Sequence, residues 1–268
     1  MTTSTTTAQA QAQAPDLLRA VRSEIVKLHN SAVPVTVTVL PGVITCIVAI
    51  LATGARPFKP ADAWIDLTGQ MIIFWSTMLP FMASIVTAML AGTEHNGNMW
   101  KHLFALPINR TAVYAAKQIM ALALFGLSII VTFIAIIATG LFLRSAKPNW
   151  GFEASIPVAE IAVALLLSWL ASWLLIALHQ WAGVHFRGFG AAIAFGLVAF
   201  LINVVVSART DLWKQILPWA LPYNFVTSSL TQSSIDWAVA SRSALIGVIG
   251  CLVTTLLMSW LESRRDVG

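Results

Sequence analysis

Six stretches of the chain contain no Asp, Glu, Lys or Arg: residues 28–55, 67–93, 118–143, 161–186, 188–208 and 243–261. Each is rich in Leu, Ile, Val, Ala and Phe. A bilayer core about 30 Å thick is crossed by roughly 20 apolar helical residues. In such a core every backbone N–H and C=O must be satisfied within the protein, so an apolar run of this length is helical. The expected fold is therefore all-α and polytopic, with six transmembrane helices, and any function operates in or across a membrane.

Composition narrows the function classes. Of 268 residues, 58% are hydrophobic and 10% charged, with mean hydropathy +0.80. Soluble domains carry about 25% charged residues. Helices and short loops consume the length, leaving no separate soluble catalytic domain. The net charge of +5 fits Lys and Arg at lipid headgroups. Nucleic-acid binding is not expected, because no basic run with interleaved aromatics appears. Cys46 and Cys251 fall mid-span and read as small buried apolar residues. Without a CxxC or a Cys/His cluster, no metal site is expected.

The expected organisation is a disordered tail at 1–15 and a single transmembrane domain at 16–268. Residues 1–14 lack the build of a cleaved signal peptide. Residues 16–30 form an amphipathic interfacial helix, with Leu17, Val21, Ile25 and Leu28 on one face and Arg19, Arg22, Glu24 and Lys27 on the others. Spans follow at about 33–54, 65–92, 111–143, 158–184, 188–207 and 237–261, with bends at Pro41-Gly42 and Pro80. A seventh charge-free window, 215–235, is interrupted by Pro218, Pro222 and Asn224. It reads as part of an extracytoplasmic segment, 208–236, that is either a helix-turn-helix or re-entrant. Lys and Arg favour the N-terminal segment, the 93–117 loop and the C-terminal tail, so both termini are expected in the cytoplasm. Trp64, Trp150, Trp213, Trp219 and Trp237 then form an outer aromatic belt, with Trp100, Trp181 and Trp260 at the inner face.

The segment between the second and third spans, Glu94 to Arg110, has a polar start, an amphipathic middle and a Pro-containing break. Trp100, Leu103, Phe104 and Leu106 are apolar, while Lys101 and His102 are polar. A short amphipathic helix suits docking into a groove on another protein; an interfacial loop with basic anchors is the other reading. Glu94, Gly97, Trp100-Lys101 and Leu103, followed by Leu106-Pro107-Ile108 and by Arg110, Tyr114 and Lys117, resemble the cytoplasmic coupling helix of ABC-2-type permeases. The likeness is nearest to the branch found in lantibiotic-immunity and bacitracin-type transporters. Asn98 stands where that family often has Thr. The amphipathic helix with Glu24 and Lys27 ahead of six spans is similar to that family as well.

The resemblance implies an exporter in the cell's inner or plasma membrane, moving amphipathic compounds such as peptide antibiotics outward. It implies two partner ATPase subunits, which carry ATP and Mg, and a second permease copy or paralogue. ATPase coupling would fall to Glu94, Gly97, Trp100, Lys101, Leu103, Pro107 and Arg110. The chain itself has no GxxxxGK[ST] phosphate loop and no Gly-Lys pair, so no cofactor and no catalytic residue are expected on it. HExxH, GxSxG and paired intramembrane carboxylates are also absent from the sequence. A secondary carrier or channel-like protein working without ATP is the competing class.

Polar residues inside spans mark either a substrate pathway or helix–helix contacts. Gln70, Thr77 and Ser84 recur every seven residues on one face of the second span. Ser128, Thr132 and Thr139, four and seven residues apart, share a face of the third. Ser168, Ser172 and His179 share a face of the fourth, with Gln180 beside them. Asn203 lies in the fifth. The expected pathway residues are Gln70, Thr77, Ser84, Ser172, His179 and Gln180, converging on one cavity.

Overall fold

A computed structural model describes residues 16–29, 31–54, 63–95, 110–186, 188–207, 211–223 and 236–263. Among these the chain is helical, with no strand. The helices are α1 (Asp16–Leu28), α2 (Val33–Gly54), α3 (Ala63–His95), α4 (Arg110–Ala146), α5 (Val158–His185), α6 (Phe189–Ser207), α7 (Asp211–Ile216) and α8 (Trp237–Ser263). Five of them (α3, α4, α5, α6 and α8) are long and apolar enough to cross a membrane; α1 and α2, meeting at a 67° bend, make a sixth candidate if taken as one broken span. The protein is a polytopic all-α membrane protein.

Local chemistry sets several boundaries. Asp236 Oδ1 accepts hydrogen bonds from the N–H groups of Ala238 and Val239, both at 3.1 Å, and so caps α8. The Phe186 N–H closes α5 on the Ala182 carbonyl. α2 and α3 run as single helices through Pro41 and Pro80. A proline removes one helical N–H and frees the carbonyl four residues back. For Pro80 that carbonyl is Ser76, and Asn203 Nδ2 on α6 donates to it at 3.4 Å.

Side-chain contacts fix the helix directions. Trp75 Nε1 donates to Ser128 Oγ at 3.0 Å, and Trp64 packs against Gly140, so α3 and α4 are antiparallel. Thr87 donates to the His179 carbonyl at 3.0 Å, with Gly183 against the Thr87 backbone. Gly247 meets Leu170 and Ala171, Gly250 meets Leu174, and α5 and α8 therefore run in parallel. α1 and the last turn of α8 lie at the same end of the bundle, hereafter the α1 end.

Two clusters fill the interior. Toward the far end Trp64, Leu67, Met71, Ile136, Leu143 and Ile161 pack with Phe152, which the 147–157 loop inserts edge-on against Trp64 at 5.3 Å. Nearer the α1 end Val37, Trp75, Leu79, Leu124, Phe125 and Leu175 form the second. The outward faces are also apolar: Ile119, Ile130 and Ile134 on α4 and Leu252, Leu256 and Leu257 on α8 are exposed. Outward apolar side chains of this kind suit lipid surroundings.

The aromatic expectations need correction at two positions. Trp64 is buried at 3% exposure rather than belted at the surface, because the glycine at 140 leaves a notch that the indole fills. Trp219 packs against the second cluster and lies 6.4 Å from Phe195, ring centre to ring centre. Phe195 precedes the end of α6 by twelve residues, roughly 18 Å of helix. Residues 211–223 of the 208–236 segment therefore fold back into the bundle, with Ala220 and Leu221 buried. Trp213, Trp237 and Trp260 are exposed, as belt residues would be.

Candidate functional site at the α1 end of the bundle

α1 packs along α4. Leu17, Leu18, Ile25 and Val26 face outward, while Glu24 points inward at 4% exposure. Its Oε1 accepts from Lys27 Nζ at 2.7 Å, and both carboxylate oxygens lie 3.2 Å from Lys117 Nζ on α4. Lys117 is fully buried. A buried charge is tolerated only when paired and hydrogen-bonded, and Glu24 supplies that partner. The sequence reading, which put Glu24 and Lys117 among solvated and headgroup-facing residues, is corrected here. The available signal was their spacing: Lys117 shares a helix face with Val113, Ala116, Met120 and Ala121, all buried.

Next to this pair is a cavity between α4, α5 and α8, with about 30 Å³ of room for water-sized groups. Its polar lining includes Lys117, Gln118, Gln180, Thr254, Thr255 and Ser259. Gln118 Nε2 is 3.5 Å from Cys251 Sγ. Thr255 and Ser259 donate to the carbonyls of Cys251 and Leu256, so their oxygens are left as acceptors. Gln180 is buried, and neither its Nε2 nor its Oε1 has a partner.

The residues expected to form a pathway make these contacts within the single chain. Thr77 donates to the Ile73 carbonyl at 2.7 Å and Ser84 to that of Pro80 at 3.1 Å, while Gln70 is half-buried on α3. Ser84 is pressed against Gly196 of α6, and His179 stacks edge-on with Phe195 at 5.1 Å, so these two meet α6 at adjacent positions. Ser172 donates to the Trp169 carbonyl at 2.6 Å, and His179 Nδ1 lies 2.8 Å from the Leu175 carbonyl. Gln180 is one residue on, about 100° around the helix, and lines the α4–α5–α8 cavity instead. Of the six, only Gln180 lines that cavity.

Of the coupling residues, Gly97, Trp100, Lys101, Leu103 and Pro107 lie outside the described residues. Glu94 is in the last turn of α3, its side chain outside the described set, and Arg110 opens α4. The ends of α3 and α4 thus bracket the segment at the α1 end. Among the described residues no His/Cys/Asp/Glu group could hold a metal.

A family model for ABC-2 family transporter proteins matches residues 20–203, more than half of the chain. The chain belongs to the ABC-2 transporter family. The match runs from within α1 through most of α6, including Glu24, Lys117 and Gln180, and stops before residues 211–223 and α8. No curated protein and no solved structure matches the chain. As an ABC-2 transporter this protein is a membrane permease rather than the catalytic subunit.

Proposed function

We propose that this ABC-2 transporter is the membrane-spanning permease subunit of an ATP-driven exporter. It works with two separate ATP-binding cassette subunits and a second permease copy or paralogue. ATP and Mg reside on the ATPase partner, and the cargo is an amphipathic or hydrophobic compound such as a lantibiotic-like peptide, moved outward. The family match over residues 20–203 carries the reading. The resemblance to the lantibiotic-immunity and bacitracin-type branch supplies the cargo class. With the termini in the cytoplasm, residues 94–110 face the partner.

The bundle supports a mechanical route. A push on the 94–110 segment acts on the ends of α3 and α4, and α4 is tied to α1 through Lys117 and Glu24. Such a route transmits force only if the bundle has two states that both ends bias. The test is reconstitution of the full chain with its ATPase subunit in vesicles. Glu94→Ala and Trp100→Ala should each lower cargo-stimulated ATP turnover by about fivefold or more, with the complex still assembled. Unchanged turnover in both variants would reduce the segment to a connecting loop. Cargo movement by the chain alone, without ATP, would favour a secondary carrier.

A further inference from the structure

The α4–α5–α8 cavity contains a buried amide with nothing to bond to, and that is costly in a low-dielectric interior. Its depth can be placed. α1 exposes Leu17, Leu18, Ile25 and Val26 together with Arg22, and a helix with such a mixed outward face rests at the boundary of headgroups and acyl chains. Glu24 of that helix touches Lys117, which lines the cavity. The cavity is therefore level with the headgroups of the leaflet on the α1 side. Its rim is made by the half-buried Tyr114, Trp181 and Met258. Beside it α8 presents Leu252 and Leu256 outward, a surface suited to acyl chains.

We infer that this cavity binds a phospholipid headgroup that carries, besides its phosphate, a hydroxyl or ammonium donor. Donors and acceptors are both present in the lining. Two lysines, Lys27 and Lys117, share the Glu24 carboxylate and leave one net positive charge beside the cavity, and Gln180 Nε2 and the Thr254 hydroxyl are donors to phosphate oxygens. Gln180 Oε1 and the oxygens of Thr255 and Ser259 are acceptors, since the latter two have given their protons to backbone carbonyls. A bare phosphate would satisfy only the donors. A choline headgroup has no N–H or O–H and leaves the acceptors unmet. Glycerol and ethanolamine headgroups satisfy both sets, and basic clefts between membrane helices are known to take headgroups.

The experiment is native mass spectrometry of the full chain in detergent, titrated with phosphatidylglycerol, phosphatidylethanolamine, phosphatidylcholine or inorganic phosphate. Phosphatidylglycerol and phosphatidylethanolamine should fill one saturable site about tenfold more tightly than phosphatidylcholine, a discrimination of the size of one net hydrogen bond. Gln180→Leu should abolish that preference at an unchanged melting temperature, and Thr254→Val should weaken it in a chain that keeps Gln180. Equal retention of all three lipids by the native chain would overturn the proposal. So would a folded Gln180→Leu chain with the native preference. Displacement of bound lipid by millimolar phosphate would assign the cavity to a soluble phosphate and remove the lipid reading.

Discussion

At the scale of single residues, the two most consequential contacts are answers to buried polarity. Lys117 is paired with Glu24 at 3.2 Å. Removing one partner of a buried pair leaves an uncompensated charge, worth about 3–5 kcal/mol, whereas replacing both with apolar residues is often near neutral. Glu24→Ala should therefore lower the melting temperature sharply, and Glu24→Leu combined with Lys117→Met should recover most of it. Equal melting of Glu24→Ala and native protein would show the pair to be solvated. The second contact is Asn203 to the carbonyl that Pro80 frees. Asn203→Leu should cost about 1–3 kcal/mol by stranding that carbonyl. In a Pro80→Ala background, where the N–H is restored, the same substitution should cost much less, and a double-mutant cycle measures the difference. Additive effects would mean that the two are uncoupled. Neither contact is visible in the sequence as a pair. Glu24 and Lys117 are separated by 93 positions and Asn203 and Ser76 by 127, and no local periodicity connects them.

Helix limits, by contrast, are written in short-range chemistry. The charge-free windows, the acid at 236 that caps α8, and the interfacial pattern of 16–28 are all local. What a helix face touches is another matter. A heptad repeat groups Gln70, Thr77 and Ser84, but it does not say that Ser84 abuts Gly196 while Gln70 and Thr77 stay half-buried. For α1 the periodicity grouped Leu17, Val21, Ile25 and Leu28, but only Leu17 and Ile25 are exposed; Leu28 packs against the second cluster, Arg22 faces outward and Glu24 faces in. α5 and α8 approach closely because Gly247 has no Cβ; one placed there would meet the Leu170 carbonyl and the Ala171 backbone, the latter at 2.9 Å. Backbone cannot yield as a flexible side chain can, so Gly247→Ala should cost about 1–3 kcal/mol. Gly42, with no neighbour near its would-be Cβ, is the control. Denaturation of both variants in detergent reads the contrast, and equal losses would refute the close packing of α5 on α8.

For the whole molecule, the helix directions put α1 and the end of α8 at one end of the bundle. With that end in the cytoplasm, a cysteine at Asn98 in a background without Cys46 and Cys251 should resist a membrane-impermeant reagent in intact cells, and one at Asn149 should react. The reverse pattern would invert the topology. The sequence alone determined that the chain crosses a membrane repeatedly as helices, because an unpaired backbone is intolerable in lipid and only long apolar runs satisfy it internally. It also carried the family, through a short run of residues around Leu106-Pro107-Ile108. Tertiary structure decided the rest: that 211–223 folds back into the bundle, that Trp64 is core, that Lys117 is an ion-pair partner, and that His179 and Gln180 serve different neighbours. The physical reason is that hydropathy is a property of each residue's exchange between water and lipid, whereas burial among other helices depends on which faces meet. Inside a membrane both environments are apolar, so hydropathy stops distinguishing core from surface, and only the packed arrangement can.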